Sequence, residues 1–337
     1  MKNLQTTYLG LNLANPLILG ACNLSLNIDT ARQLEDSGIA AIVCKSLFEE
    51  QLLLERVQLK EEMEQYNERH AEMIRIFPGL KHAGPQEHLH HLSRLKAALS
   101  VPVIGSLNCI NDDTWVQYAL EMEKTGIDAL ELNFFAIPGN IAEQGASIEQ
   151  HQLETIRKVK KVIKIPVSIK LSAFYSNLHH FIKQIDMAGA DGVVLFNRLF
   201  EPDIDVEKRA MSFPFHLSLP GDYRLSLRYA GILHDELLGS ICCNTGILTG
   251  YDVVRVMLAG ADAVQVVSTI YRNKVSHIGK MVEELSRWMD EKGYESVSDF
   301  KGLLSKSTSK DPYAYVRTQY VDLLLNPDKI LKRYPQA

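Results

Sequence analysis

A chain of 337 residues, 46% hydrophobic and 23% charged, has the balance of a globular protein with a large core, which excludes a disordered or fibrous chain. Its 36 basic and 41 acidic residues leave a formal charge of −5, so no broad footprint for nucleic acid is expected. The longest apolar runs are strand-sized, far short of the roughly 20 residues that cross a bilayer, and no membrane span is expected.

Taken in chain order, the opening MKNLQTTYLGLNLANP has no extended apolar stretch before a small-residue cleavage site, which predicts no secretory signal and a cytoplasmic protein. Short β-branched apolar runs then recur at 17–21, 41–46, 103–107, 129–134, 167–171, 192–197, 240–244 and 263–268. Each is bounded by a turn signal and followed by a helical pattern, the mark of repeated βα units. Near-continuous apolarity predicts strands buried on both faces, as in a parallel barrel. The phrases SGIAAIVCK (37–45), TGIDALELN (125–133), AGADGVVLFN (188–197) and AGADAVQVV (259–267) are near-repeats. In each a glycine ends a helix and a short loop enters the next strand, one local solution reused around a ring. Eight units, without a GxGxxG after the first strand, favour a closed (β/α)8 TIM barrel over a doubly wound open sheet.

Two regions depart from the repeat. An insertion at 48–86 begins with a charged helical stretch whose Leu52, Val57, Leu59 and Met63 form an apolar stripe, which predicts a packed amphipathic helix. It leaves the C-terminal end of a strand and is therefore expected to overhang the barrel mouth. The barrel is assigned to 1–300 and a C-terminal helical extension to 301–337. The cysteines Cys22, Cys44, Cys109, Cys242 and Cys243 form no CxxC pair and read as small core residues of a reducing compartment, with no metal site.

Barrel chemistry sits at the C-terminal ends of the strands. In order these carry Ala21 and Cys22, Lys45 and Ser46, Ser106 and Asn108, Asn133, Lys170, Asn197 and Arg198, Thr245 and Gly246, and Ser268 and Thr269. Lys45 and Lys170 each close an apolar run, and a cation there needs an anionic or electron-rich ligand to offset its desolvation. Thr245-Gly246 and Ser268-Thr269 precede helices after strands seven and eight, the usual phosphate position of such barrels. Arg198 either grips a carboxylate or phosphate bidentately or pairs with a neighbouring acid. In HLHH (88–91), His88 and His91 share a helix face but lack a third metal ligand, so they are read as solvated. Asp112 and Asp113 read as a helix N-terminus.

LANPLILGAC, IVCKS, ELN, PVSIKL and ICCNTGILTGYDVVRVMLAGADAVQVVSTIYR, in this order, resemble the flavin-dependent dihydroorotate dehydrogenase family, nearest its soluble class 1 enzymes; EELSRWMDEKGYESVSDFKG resembles its closing helix. The resemblance implies FMN across the barrel mouth, with Ala21 near the ring, Lys45 and Ser46 on the isoalloxazine and Lys170 at its N1–C2 edge. It implies that Asn108, Asn133 and Asn197 hold flavin or substrate, and that Gly221, Thr245, Gly246, Ser268 and Thr269 cradle the phosphate. It further implies a homodimer, a small-molecule substrate bound with Asn133, Asn197 and Arg198, and an electron-transfer partner left unspecified.

Three departures narrow the expectation. Where the family carries a cysteine or serine base after the fourth strand, ELNFFAIPGN places Ala136, and a methyl group accepts no proton. The family's asparagine-rich segment after strand two is replaced by MIRIFPGLKHAG, and Arg198 follows Asn197 where the family has serine. Tyr175 and His179, after strand five, are candidate replacement proton carriers by location. The function expected is a dihydroorotate dehydrogenase-like oxidoreductase acting on a CH–CH group, the catalytic positions being Lys45, Asn133 and the vacated Ala136. The alternative is a flavin- or phosphate-binding barrel without turnover.

Overall fold

The computed structural model describes residues 2–50, 85–108, 112–135, 138–198, 200–311, 313–316 and 318–326. Within them, each apolar run of the sequence forms one parallel strand: β1 Leu17–Leu19, β2 Ala41–Val43, β3 Val103–Asn108, β4 Ala129–Asn133, β5 Val167–Leu171, β6 Gly192–Leu195, β7 Ser240–Cys243 and β8 Ala263–Val266. Neighbours pair in that order, β8 pairs with β1, and Ile42↔Val103 and Val43↔Ile104 join β2 to β3, so the ring closes. The fold is a (β/α)8 barrel.

The surrounding helices are α1 Ile28–Asp36, α2 Pro85–Ala98, α3 Asp112–Lys124, α4 Gly145–Val162, α5 Leu178–Met187, α6 Arg224–Leu233, α7 Gly250–Ala259 and α8 His277–Lys292. Their inward faces follow helical periodicity: α8 buries Ile278, Met281, Leu285 and Met289, and stops at Gly293 in the left-handed conformation that lacks a Cβ penalty. The stripe Leu52, Val57, Leu59 and Met63 lies outside the described residues, as does most of the 48–86 insertion. Among the described residues no helix is long and apolar enough to cross a membrane.

The near-repeats have a structural purpose at the barrel floor. Asp128, Asp191 and Asp262, each just before an even-numbered strand, accept a backbone N–H from the start of the strand before it, from Val103, Val167 and Ile241, each at 2.7 Å. Lys96, Lys160 and Lys301 donate to the same carboxylates at 2.7, 2.5 and 2.7 Å. The repeat before β2 has Ala40 instead, and there Glu35 receives Ser100 and Val101 N–H. Asp191→Ala is therefore expected to cost about 1–3 kcal/mol by orphaning the Val167 N–H. Lys160→Met, which removes only a partly solvated ion pair, costs below about 1 kcal/mol; chemical denaturation of both variants checks the contrast.

A hairpin of Thr6–Tyr8 and Leu11–Leu13 plugs the floor from below, turning on Leu9 and Gly10, both at positive φ as a two-residue hairpin turn demands. Tyr8, Leu9 and Leu13 pack with Ile18, Val43, Ile104 and Val194 in the barrel interior. Gly192 is required there, since a Cβ would stand 2.7 Å from Leu9 Cδ2 and 2.8 Å from the Ser240 carbonyl. Beyond 300 the chain continues along the barrel wall. Gly302 and Leu304 donate to the carbonyls of Met257 and Leu258 on α7, and Lys306 to Gly231 on α6, before the helix α9 Thr318–Leu325.

Candidate active site

Alternate side chains of a barrel strand point inward, so residues two apart stack in layers. On β4 and β5, Glu131 stands opposite Ser168 and, one layer nearer the mouth, Asn133 stands opposite Lys170. Lys170 Nζ donates to Gln265 Oε1 at 3.0 Å and lies 3.5 Å from Glu131 Oε1, while Gln265 Nε2 donates to Glu131 Oε2 at 2.5 Å. All three side chains are buried: Glu131 is 0%, Gln265 1% and Lys170 5% exposed.

Two polar chains extend from this layer. Asn108 Nδ2 donates to the Asn133 carbonyl at 2.9 Å, and Asn197 Nδ2 donates to Asn133 Oδ1. Ser46 and Ser106 share a hydrogen bond of 2.7 Å. Lys45 is held through its backbone N–H, which donates to Ser25 Oγ at 2.8 Å, and the Ser25 carbonyl meets His91 Nε2 at 2.8 Å. The solvated reading of HLHH is corrected here. Burial, with smaller contributions from His91 and Lys45, pushes the His88 imidazole down to about 4 and leaves it neutral near pH 7. Among the described residues its buried Nε2 has no hydrogen-bond partner.

A cavity of about 150 Å³ opens between the ends of β1, β5, β6, β7 and β8, lined by Ala21, Lys170, Asn197, Arg198, Thr245–Gly246 and Ser268 among others. A second, of about 400 Å³, adjoins it and shares Asn197, Arg198, Asn244 and Thr245. The corner after β7 is conformationally constrained. Gly246 has φ 72°, and a Cβ on it would stand 2.7 Å from Asp222 Cβ and 2.8 Å from Tyr223 N. Thr245 takes φ 69°, a left-handed conformation that a β-branched residue rarely adopts, and its hydroxyl donates to the Phe196 carbonyl at 3.1 Å. Strain of this kind concentrates at functional sites.

The opposite wall is the segment before α6. Ser218 N–H donates to Ser268 Oγ at 3.0 Å, and Arg198 Nη1 reaches Ser218 Oγ at 3.2 Å and Asp222 Oδ2 at 3.1 Å. Of the alternatives left open for Arg198, the structure has the pairing with an acid, yet among the described residues its buried Nε has no partner. Phe200 and Phe215, stacked at 5.2 Å, also line the cavity at the base of a hairpin that pairs Asp203–Asp205 with Ala210–Ser212.

Several sequence-predicted positions stand apart from the cavity lining. Gly221 (φ 95°) turns the chain one residue before Asp222, and Thr269 is fully buried with its hydroxyl donating to the Leu248 carbonyl at 3.0 Å. Lys45, Ser46, Asn108 and Asn133 belong to the adjoining polar layer on the β2–β4 side. Tyr175 is tied away from the cavity: its hydroxyl donates to Gln152 Oε1 at 2.9 Å, its ring stacks on Phe181 at 4.5 Å, and burial pushes its phenol up to about 12. His179 lies in the first turn of α5 and lines neither cavity. Burial likewise pushes the Cys22 thiol up to about 11, so it is protonated near pH 7. Ala136 lies outside the described residues, as do Cys109 and the MIRIFPGLKHAG segment.

Glu131, Gln265 and the Phe200–Phe215 pair escaped the reading of strand ends. The signal for the first two was present, since each is a polar residue inside an otherwise apolar strand.

The family model described as dihydroorotate dehydrogenase matches residues 3–289. A dihydroorotate dehydrogenase B (NAD(+)) catalytic subunit of Pyrococcus abyssi is 30% identical over 311 residues, 90% of this chain and 99% of that protein. The protein of the same name from Thermoplasma volcanium is 27% identical over 318 residues, 91% of this chain and all of its own length. A dihydroorotate dehydrogenase A (fumarate) of Lactobacillus helveticus is 28% identical over 211 residues, 60% of this chain and 67% of that protein.

Proposed function

The chain belongs to the dihydroorotate dehydrogenase family, and from that premise we propose an FMN-dependent oxidoreductase that moves a hydride between a carbon–carbon bond of a small substrate and flavin N5. The observation that carries this reading is the cavity running from the buried ammonium of Lys170 to the Thr245–Gly246 and Ser268 corner. Its chemistry fits an anionic, aromatic cofactor. A cation stands at one end. At the other are a glycine that tolerates no side chain and a hydroxyl at a helix start.

FMN, when bound, supplies the two-electron chemistry, and the protein supplies position, charge and exclusion of water. In this reading Ala21 and Gly20 keep the end of β1 low enough for a flat ring, since any side chain at Gly20 would meet Val267 at 3.0 Å. Lys170 offers its ammonium to the electron-rich edge of the ring. Thr245, Gly246 and Ser268 hold the phosphate directly, while Gly221 and Thr269 support that corner from behind. Asn133 and Asn197, locked together by their side-chain hydrogen bond, face ring and substrate with fixed amide orientation, and Asn108 buttresses them. Lys45 and Ser46 bound the site on the β2 side. Arg198 is the cation placed for an acidic group of the substrate, at the junction of the two cavities. A homodimer in the cytoplasm, passing electrons to a further acceptor, completes the proposal.

A proton must accompany each hydride, and by resemblance the position that carries the base in the family is Ala136. Loss of general-base catalysis typically removes roughly 10²–10⁴-fold in rate. Dihydroorotate itself is therefore expected to reduce the flavin slowly, and the natural substrate to bring or exchange its own proton. Dithionite-reduced protein mixed with orotate, other oxidised pyrimidines and simple enones tests this by flavin reoxidation. Rapid reoxidation by at least one enone supports an oxidoreductase. Inertness to all of them favours the second reading, a flavin-binding barrel without turnover, for which Ala136 is the specific observation.

A further inference from the structure

Placing Lys170 at the ring leaves a second buried charge without a role. Glu131 is fully buried in the barrel interior, where an apolar residue would be held at far lower desolvation cost. The groups around it are Lys170 and Ser168 on β5, Gln265 on β8, Cys242 on β7 and Tyr8 of the floor hairpin. Of these only Lys170 is a cation, 3.5 Å away, and Gln265 bridges the pair, its carbonyl accepting from the ammonium and its amide donating to the carboxylate. The bridge fixes the amide orientation of Gln265, because the reverse would set two donors against each other.

We propose that Glu131 is a positioning residue for Lys170 and that, with Gln265, it sets the charge felt by the bound flavin. The inference rests on the flavin reading above. The carboxylate holds the ammonium at the end of β5 and offsets part of its field. A lone lysine would favour the reduced, negatively charged ring; an anion directly behind that lysine opposes it. Glu131 therefore keeps the flavin a stronger reductant than Lys170 alone would.

The test is the midpoint potential of protein-bound FMN in wild type, Glu131→Gln and Glu131→Asp. Glu131→Gln keeps the shape and the bridge but removes the charge. It is expected to favour the reduced flavin by about tenfold, equivalent to about 30 mV for a two-electron couple. Glu131→Asp retains the charge and is expected to restore the wild-type potential. An unchanged potential in Glu131→Gln with FMN still bound overturns the proposal.

Thermal unfolding of flavin-free protein supplies a measurement that does not need the cofactor. Glu131→Gln and Lys170→Gln should each lower the unfolding temperature by stranding a buried charge, and the double variant should lose less than their sum. Strict additivity overturns the pairing. Wild-type protein that takes up no FMN overturns the flavin assignment and the tuning role with it, and the unfolding cycle still reports on the pair.

Discussion

Replacing Gly246 by alanine is expected to weaken FMN binding by about a hundredfold while leaving a folded barrel. An added Cβ would stand 2.7 Å from Asp222 Cβ, 2.8 Å from Tyr223 N and 3.0 Å from Asp222 Cα, two of which are backbone atoms that cannot rotate away. The backbone at φ 72° adds about 1–2 kcal/mol for any residue with a side chain. Overpacking adds about 1–3 kcal/mol, and together these approach the roughly 2.8 kcal/mol that a hundredfold represents. The loss falls on binding because relief requires the turn after β7 to move off the wall that carries Asp222, and that movement opens the corner proposed for phosphate. Gly221→Ala is the control. It also sits at positive φ, but the three atoms nearest its Cβ would all belong to the guanidinium of Arg224, from 3.0 Å, the movable end of a long side chain. It should lower stability by about 1–2 kcal/mol and weaken FMN binding far less than Gly246→Ala does. Fluorescence titration of FMN, with circular dichroism melts of the same samples, separates the two.

Lys170→Gln is the larger perturbation. Removing one partner of a buried pair leaves the other uncompensated, which typically costs about 3–5 kcal/mol. Glu131, fully buried, has no route to water. The variant should lose FMN affinity and stability together, and Glu131→Gln added to it should recover stability without recovering affinity. That split separates the structural role of the pair from the role of the ammonium toward the cofactor. Lys45→Gln should cost less stability, because Lys45 is only half-buried and its anchored contact is through its backbone. Equilibrium denaturation of the three variants orders them.

The barrel was legible because parallel strands buried on both faces read as continuous apolar runs, and because the Gly-x-Asp phrase marks the floor of each even strand after β2. The lysines at the ends of β2 and β5 were legible for the same reason, as charges closing apolar runs. Pairing across the barrel was not. Glu131 and Gln265 meet over a separation of 134 residues, and nothing local to ALELN or AVQVV names the partner. The floor hairpin escaped because strands of three residues show no period. His88 and His91 could have been placed inward, since each lies four residues before Leu92 or Leu95 on the buried stripe of α2. Gly221 and Thr269 were assigned to the phosphate by resemblance, which transfers an order along the chain but not the depth of a side chain. Neither lines the cavity, and Thr269 is fully buried.

The flavin content of the purified protein tests the central claim most directly. Heat-denatured protein should release FMN stoichiometric with the chain, and the native protein should show a flavin spectrum that dithionite bleaches and air restores. A colourless protein that takes up no FMN on reconstitution, even at millimolar cofactor, would contradict the account.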